Sequence, residues 1–190
     1  QDDVKKDIEL LSSQVERCNE ILKRLTLNPV EEDEFIDKDL SMKDYLSEII
    51  SSFKEISQKK FILNYDQFSN QKKITKSIEI VYGLRNFIGN ANKFSNETIH
   101  VTLKSDSEIT EITIEDDGNG YSKDVLSKIG EPYLRTKDPI DKSKAGLGLG
   151  LFIGKTLLEK NFASINCRNS KTRGGAEVII KWNNKDLFNI

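Results

Sequence analysis

The spacing of apolar residues changes once along this chain, at Asn28-Pro29, and the change divides it into two parts. Before that point Val4, Ile8, Leu11, Val15, Cys18, Leu22 and Leu25 recur at alternating spacings of four and three. That is the seam of a coiled coil or helical bundle. Leu10 and Ile21 widen the stripe, which suits a four-helix bundle better than a two-stranded zipper. Proline disfavours helical geometry in the residue before it, so the helix is expected to end at Asn28. A lone helix of this length is marginal in water and its stripe needs a partner. Residues 1–28 are therefore expected to form one bundle helix, with a homodimer expected through it.

Residues 29–40 form an acidic stretch, Glu31 to Asp39 at its centre, that reads as a solvated linker. From Ser41 to the C-terminus the pattern is that of a compact domain. Ser41 can cap a helix carrying Tyr45, Leu46, Ile49, Ile50 and Phe53. Phe61 to Tyr65 reads as a strand, and Ile78 to Phe94 as a second helix. Ile99, Val101 and Leu103 alternate, and Ile109, Ile112 and Ile114 follow a short polar turn, which predicts an antiparallel pair. Val125 and Ile129 suggest a short helix, and a basic, Pro-containing stretch runs from Pro132 to Lys144. Leu149 to Glu159 is helical, and Ser164 to Arg168 and Ala176 to Trp182 are strands. This order predicts an α+β fold, a two-layer α/β sandwich with its helices on one face of a mixed sheet, preceded by the long helix.

Composition narrows the functional classes. A net charge of −2 over 190 residues offers no basic surface for nucleic acid. No apolar run approaches the roughly 18 residues that cross a bilayer. The chain opens on Gln1 without a signal-peptide pattern and reads as a cytoplasmic piece excised from a longer protein. The two cysteines have no CxxC spacing, so neither a zinc site nor a disulfide framework is implied.

Glycines cluster at Gly118-Asn119-Gly120, at Gly146, Gly148 and Gly150, and at Gly174-Gly175. The familiar nucleotide motifs do not fit them. A Walker A loop ending at Gly154-Lys155-Thr156 would need glycine where Leu149 stands. A dinucleotide loop opening at Gly146 or Gly148 meets Leu151 or Ile153 at its last position. A calcium loop lacks acidic residues at alternate positions before Gly118. Asn86, Asn90 and Lys93 lie at i, i+4 and i+7 and share one helix face. Two amides and an ammonium suit a metal-bound phosphate chain, because an amide oxygen ligates Mg²⁺ without adding negative charge. Alone, the stripe also fits a solvent-facing surface.

The ordered set is more specific than any member. The run Asn86 to Phe94 resembles the N box of histidine kinases and the wider GHKL ATPases. Asp116-Asp117-Gly118-Asn119-Gly120 resembles their G1 box, Gly130 to Thr136 their F box, Gly146 to Leu151 their G2 box, and Gly174-Gly175-Ala176 a third glycine motif. The resemblance covers Ser41 to the C-terminus and implies the Bergerat ATP-binding fold. It implies that Asp116 accepts a hydrogen bond from the adenine amino group and that the base lies against Gly118, Gly120 and Tyr121. It implies Asn90 as the Mg²⁺ ligand, with Asn86 in support and Lys93 on phosphate. Phe94 stands where tyrosine is common. Gly146, Leu147, Gly148, Leu149 and Gly150 open a helix whose free amides would hold phosphate oxygens, and Arg135 of the lid would join them. Ala176 stands where threonine is often seen.

The implied activity is transfer of the γ-phosphoryl group of ATP to a histidine, with ATP and Mg²⁺ required and a response regulator as the downstream partner. The chain has one histidine, His100, in the strand pattern Ile99-His100-Val101 and on the face opposite those apolar residues. It reads as an ordinary strand residue, so the chain is expected to bind ATP without phosphorylating itself. Residues 1–28 are then expected to be the second helix of a truncated dimerisation and phosphotransfer bundle. Gln14 to Leu22 and Gly130-Glu131-Pro132-Tyr133 are most similar to the RegB/PrrB subfamily of redox-responsive kinases, whose sensors usually lie in the bacterial inner membrane. Cys18 occupies a d position, where two copies in a parallel dimer could oxidise across the interface; a small buried seam residue is the plainer reading. Cys167 reads as core. A non-catalytic ATP-sensing module and a GHKL ATPase are the alternatives.

Overall fold

The computed structural model describes residues 40–66, 73–74, 77–132 and 149–188, all within the compact unit Asp39–Ile190. The expected bundle helix over 1–28, with Cys18, lies outside the described residues, as do Arg135, Gly146, Leu147 and Gly148. In chain order the elements are β1 (Leu40–Ser41), α1 (Met42–Lys54), β2 (Lys60–Tyr65), β3 (Lys73–Ile74), α2 (Ile78–Phe94), β4 (Thr98–Ser105), β5 (Ile109–Asp116), α3 (Lys123–Leu126), α4 (Gly150–Lys160), β6 (Ser164–Asn169), β7 (Ala176–Asn183) and α5 (Asn184–Leu187).

Local chemistry sets the helix boundaries. Ser41 and Asp44 form a reciprocal capping box at the start of α1: the Ser41 hydroxyl accepts the Asp44 amide, and the Asp44 carboxylate accepts the Ser41 amide. Ser77 does the same one-sided work for α2, accepting from the Ile80 amide. α4 has no side-chain cap at Leu149, so no described side chain satisfies its first amides.

The five-stranded sheet has the order β2-β4-β5-β7-β6; β2 and β4 are parallel and every other pair antiparallel, while β1 and β3 form a separate two-stranded ribbon. Register aligns the apolar alternation into rows on one face. Leu63, Val101, Ile114, Val178 and Cys167 form one row, and Leu103, Ile112, Ile180 and Ile165 the next. These side chains pack with Leu46, Ile49, Leu84, Phe87, Ile88 and Leu158 from the helices into a single core. The other face carries Thr102, Thr113, Glu111 and Lys181, and His100 lies there between Ile62 and Glu115. His100 is held below its ordinary pKa by burial first and by the positive charge of Arg173 second.

The expected helices on one face of a mixed sheet are therefore present. One detail of the alternation differs. Thr110, not Ile109, faces inward: Thr110 is buried and its hydroxyl donates to Asn184 Oδ1 at 2.7 Å, whereas Ile109 is exposed. Strand parity from Ile112 and Ile114 places 110 inside and 109 outside, and α5, which the sequence pattern does not announce, supplies the polar partner. Asn161 closes the far end of the core. Its side chain accepts from the Ser77 hydroxyl at 3.0 Å and its carbonyl from Trp182 Nε1 at 3.0 Å, tying α2, α4 and β7 together.

Candidate functional site

Asp116 ends β5 on the core side of the sheet, because the inward parity of Thr110, Ile112 and Ile114 continues to it. A carboxylate is thus carried to the rim of an apolar layer, 3% exposed. Burial raises its pKa above the usual carboxylate range, and the amides of Gly118 and Ala176 pull against that rise. Both amides donate to Oδ1, at 2.9 and 3.1 Å. Oδ2 receives no hydrogen bond from the described residues, so the buried acid keeps one acceptor oxygen for a ligand.

Two glycines make room for this carboxylate. A methyl group on Gly175 would stand 2.3 Å from Asp116 Oδ1, and one on Gly118 would stand 3.0 Å from the same atom and 2.2 Å from the carbonyl oxygen of Phe94. Gly118 therefore also lets the loop touch the end of α2.

That end is fixed by two charged groups. Lys59 donates to the carbonyls of Asn92 and of Ser95, the latter at 2.6 Å, a cation placed where the helix dipole is negative. Asp117 accepts the backbone amides of Asn96, Glu97 and Thr98 at 2.8–3.1 Å, and the Asn96 side chain donates to its carbonyl. Partial burial would raise the Asp117 pKa, but these three amides outweigh it and hold the group below its ordinary value. The sequence reading missed Lys59 and Asp117. Asp followed by Gly does signal a turn, but nothing local announces that its carboxylate closes on a segment 20 residues earlier.

Along α2, Asn86, Asn90 and Lys93 lie partly exposed beside the buried stripe of Gly83, Phe87 and Ala91. The Asn86 amide group donates to the Tyr82 carbonyl at 2.8 Å, which leaves its Oδ1 as an acceptor. α4 crosses α2 closely, since a methyl group on Gly154 would stand 3.1 Å from Asn86 Cβ and 2.9 Å from Phe87 Cε2. This crossing brings the start of α4 beside the polar stripe: Gly150 faces Asn86 Oδ1, with a virtual methyl 3.7 Å away. Gly150, in the uncapped first turn of α4, thus lies by Asn86. Lys93 Nζ sits 5.4 Å from the ring centre of the half-exposed Phe94.

The structure therefore brings together Asn86 with Gly150, and Phe94 with Asp116 and Gly118. Tyr121 follows Gly120 and is partly buried against the core, with the thiol of Cys167 beside its phenol. Burial first, with the Asp116 carboxylate adding to it, raises the phenol pKa. Burial likewise pushes Cys167 up to about 11, so this thiol stays protonated and packs as core, as its alternation suggests. Ala176 contributes its amide to Asp116 and no side-chain polar group.

Among the described residues no group of three or more His, Cys, Asp or Glu could hold a metal alone. The donors on α2 are neutral amide oxygens, which fit a hard ion that arrives with its own anionic ligands. No described helix is long and apolar enough to cross a membrane.

Comparison with known proteins agrees with this fold. Residues 75–186 match the family model of histidine kinase-, DNA gyrase B-, and HSP90-like ATPases. The chain is 30% identical, over an alignment of 200 positions, to the sensor histidine kinase RegB of Cereibacter sphaeroides, covering 93% of this chain and 42% of RegB. It is 32% identical over 97 residues to the sensor histidine kinase CpxA of Escherichia coli K12, covering 51% of this chain and 21% of CpxA. The chain thus spans less than half the length of these relatives. Among solved structures, the mycobacterial sensor histidine kinase MprB superposes with a TM-score of 0.63 at 18% identity, covering 76% of this chain and 96% of that one. Full-length ShkA in complex with AMPPNP gives 0.61 at 20% identity, covering 76% and 30%.

Proposed function

Because this chain belongs to the family of histidine kinase-, DNA gyrase B- and HSP90-like ATPases, we propose that it binds Mg-ATP between α2, the Asp116 loop and the start of α4, as the catalytic part of a sensor histidine kinase. The observation that carries this reading is the buried Asp116 carboxylate with Oδ1 doubly engaged and Oδ2 left as an acceptor. An exocyclic amino group supplies the donor that oxygen lacks. Guanine offers an acceptor at the corresponding position, so the site selects adenine.

The triphosphate then runs along the polar stripe. Asn90, with Asn86 one turn earlier, would hold Mg²⁺, which when bound neutralises charge on the phosphate oxygens. Lys93 and the first amides of α4 hold phosphate oxygens, and Arg135 of the lid adds a second cation. No described side chain is placed to act as a base; this chain's contribution is positioning and charge neutralisation.

The acceptor is a histidine on a helical bundle. His100 is on the outer face of the sheet, where β4 and β5 hold it, and does not face the stripe. Residues 1–28 supply one bundle helix and a dimer contact. The whole kinase passes the phosphoryl group to a response regulator and has its sensor in the bacterial inner membrane, as in the redox-responsive subfamily.

The test is to mix this chain, labelled ATP and Mg²⁺ with a separately produced histidine-bearing bundle. Acid-labile label on the bundle, and none on this chain alone, is expected. ATP binding without transfer would replace the kinase with an ATP-sensing module.

A further inference from the structure

Edge strand β6 touches the Asp116 loop at its far side, through residues that lie nowhere near the polar stripe in sequence. The Tyr121 amide donates to Asn169 Oδ1 at 2.7 Å, and Asn169 Nδ2 donates to the Tyr121 carbonyl at 2.9 Å. One side chain thus reproduces both bonds of a strand neighbour at the end of the sheet. Gly120 has φ +71°, and a methyl group there would stand 2.7 Å from Asn169 Oδ1. The loop is therefore shaped to admit this carboxamide. Two residues earlier on the same strand and face, Cys167 lies beside the Tyr121 phenol, so β6 holds the backbone of Tyr121 and neighbours its side chain. On its other flank the loop is held by Asp117 and by Gly118 against Phe94.

We propose that Asn169 is a positioning residue for adenine recognition: through the Gly120-Tyr121 backbone it holds the loop in the shape that aims Asp116 at the base, without touching the nucleotide. This rests on the reading of Asp116 to Gly120 as the adenine loop. Removing the two bonds loosens the loop, and part of the binding energy is then spent on ordering it. Among the described residues, Asn169 makes its side-chain hydrogen bonds with Tyr121 and none with the polar stripe on α2.

The test compares wild type, Asn169→Ala and Asn166→Ala by titration with Mg-ATP, Mg-GTP and Mg-tripolyphosphate, well below each melting temperature. Asn166 lies on the same strand, exposed on the outer face, and controls for the substitution itself. We expect Asn169→Ala to weaken ATP about five- to tenfold, in line with the loss of two exposed hydrogen bonds. The ATP-to-GTP ratio should fall, tripolyphosphate affinity should stay as in wild type, and Asn166→Ala should change none of them. Equal ATP affinity in Asn169→Ala and wild type overturns the positioning role alone. Parallel loss of ATP and tripolyphosphate also overturns it, because that is the signature of general destabilisation. A wild-type chain that takes up no ATP overturns the adenine loop and the positioning role together.

Discussion

Gly118→Ala tests how the two halves of the site are joined. The added methyl carbon would stand 2.2 Å from the Phe94 carbonyl oxygen and 3.0 Å from Asp116 Oδ1. An unstrained carbon–oxygen contact is about 3.3 Å or more, so roughly 1 Å of separation must open between the loop and the end of α2. Both neighbours are rigid. The Phe94 carbonyl belongs to a helix end clamped by Lys59 and Asp117, and the carboxylate is held by two amides. Overpacking of this kind costs about 1–3 kcal/mol, which for a chain of this size lowers the melting temperature by roughly 3–10 °C. The same displacement moves Asp116 away from α2, so ATP affinity should fall at least about tenfold, or about 1.4 kcal/mol. Gly174→Ala is the matched control. Gly174 has φ +80° with nothing within 4 Å of a virtual methyl, so alanine there costs about 1–2 kcal/mol of backbone strain and leaves ATP affinity unchanged. Thermal melts and ATP titrations on both variants separate the effects. Gly118→Ala with wild-type ATP affinity would refute the claim that this contact sets the geometry of the site.

Asp116→Asn keeps Oδ1 for the two amides but turns the other position into a donor, so ATP binding should be lost while the fold persists. The raised pKa of Asp116 means that stability falls as pH rises from the unfolded carboxylate value through the folded one. The asparagine variant should therefore melt higher than wild type at neutral pH, with the difference vanishing in acid. Asp117 has the opposite sign: its depressed pKa gives stability above the unfolded value that disappears as pH falls through the folded one. Asp117→Asn should accordingly cost about 1 kcal/mol at neutral pH, a figure kept low because the group is partly exposed, and nothing once wild type is protonated; urea melts at both pH values decide it. The redox reading of Cys18 predicts an oxidant-dependent covalent dimer on a non-reducing gel, absent in Cys18→Ser; no such species leaves Cys18 a buried seam residue. Cys167, protonated and packed against Tyr121, should stay unmodified under the same treatment.

What the sequence made legible was what periodicity and local chemistry encode. The helix over Ile78 to Phe94, the pairing of the Ile99 and Ile112 strands and the cap at Ser41 all follow from spacing and side-chain type. The polar stripe of Asn86, Asn90 and Lys93 was readable because helical period places it on one face. Other features depend on contacts that no local pattern carries. Lys59 reaches carbonyls more than 30 residues away, and Asn169 meets Tyr121 across 48 residues. The partner that satisfies the inward-facing Thr110 hydroxyl, Asn184, lies 74 residues later. Asp116 was identified as an acceptor through its motif, but the Ala176 amide, one of its two donors, became visible only when β7 was laid beside β5. The short ribbon of β1 and β3 and the terminal α5 are too brief to leave a periodic signal.

The most direct measurement is a calorimetric titration of ATP and GTP, with and without Mg²⁺, into wild type and Asn90→Ala. ATP should bind in preference to GTP, its affinity should depend on Mg²⁺, and the variant should lose most of that affinity and of its metal dependence. A folded chain that takes up no adenine nucleotide, or binds it equally well without Asn90, would contradict the site described above.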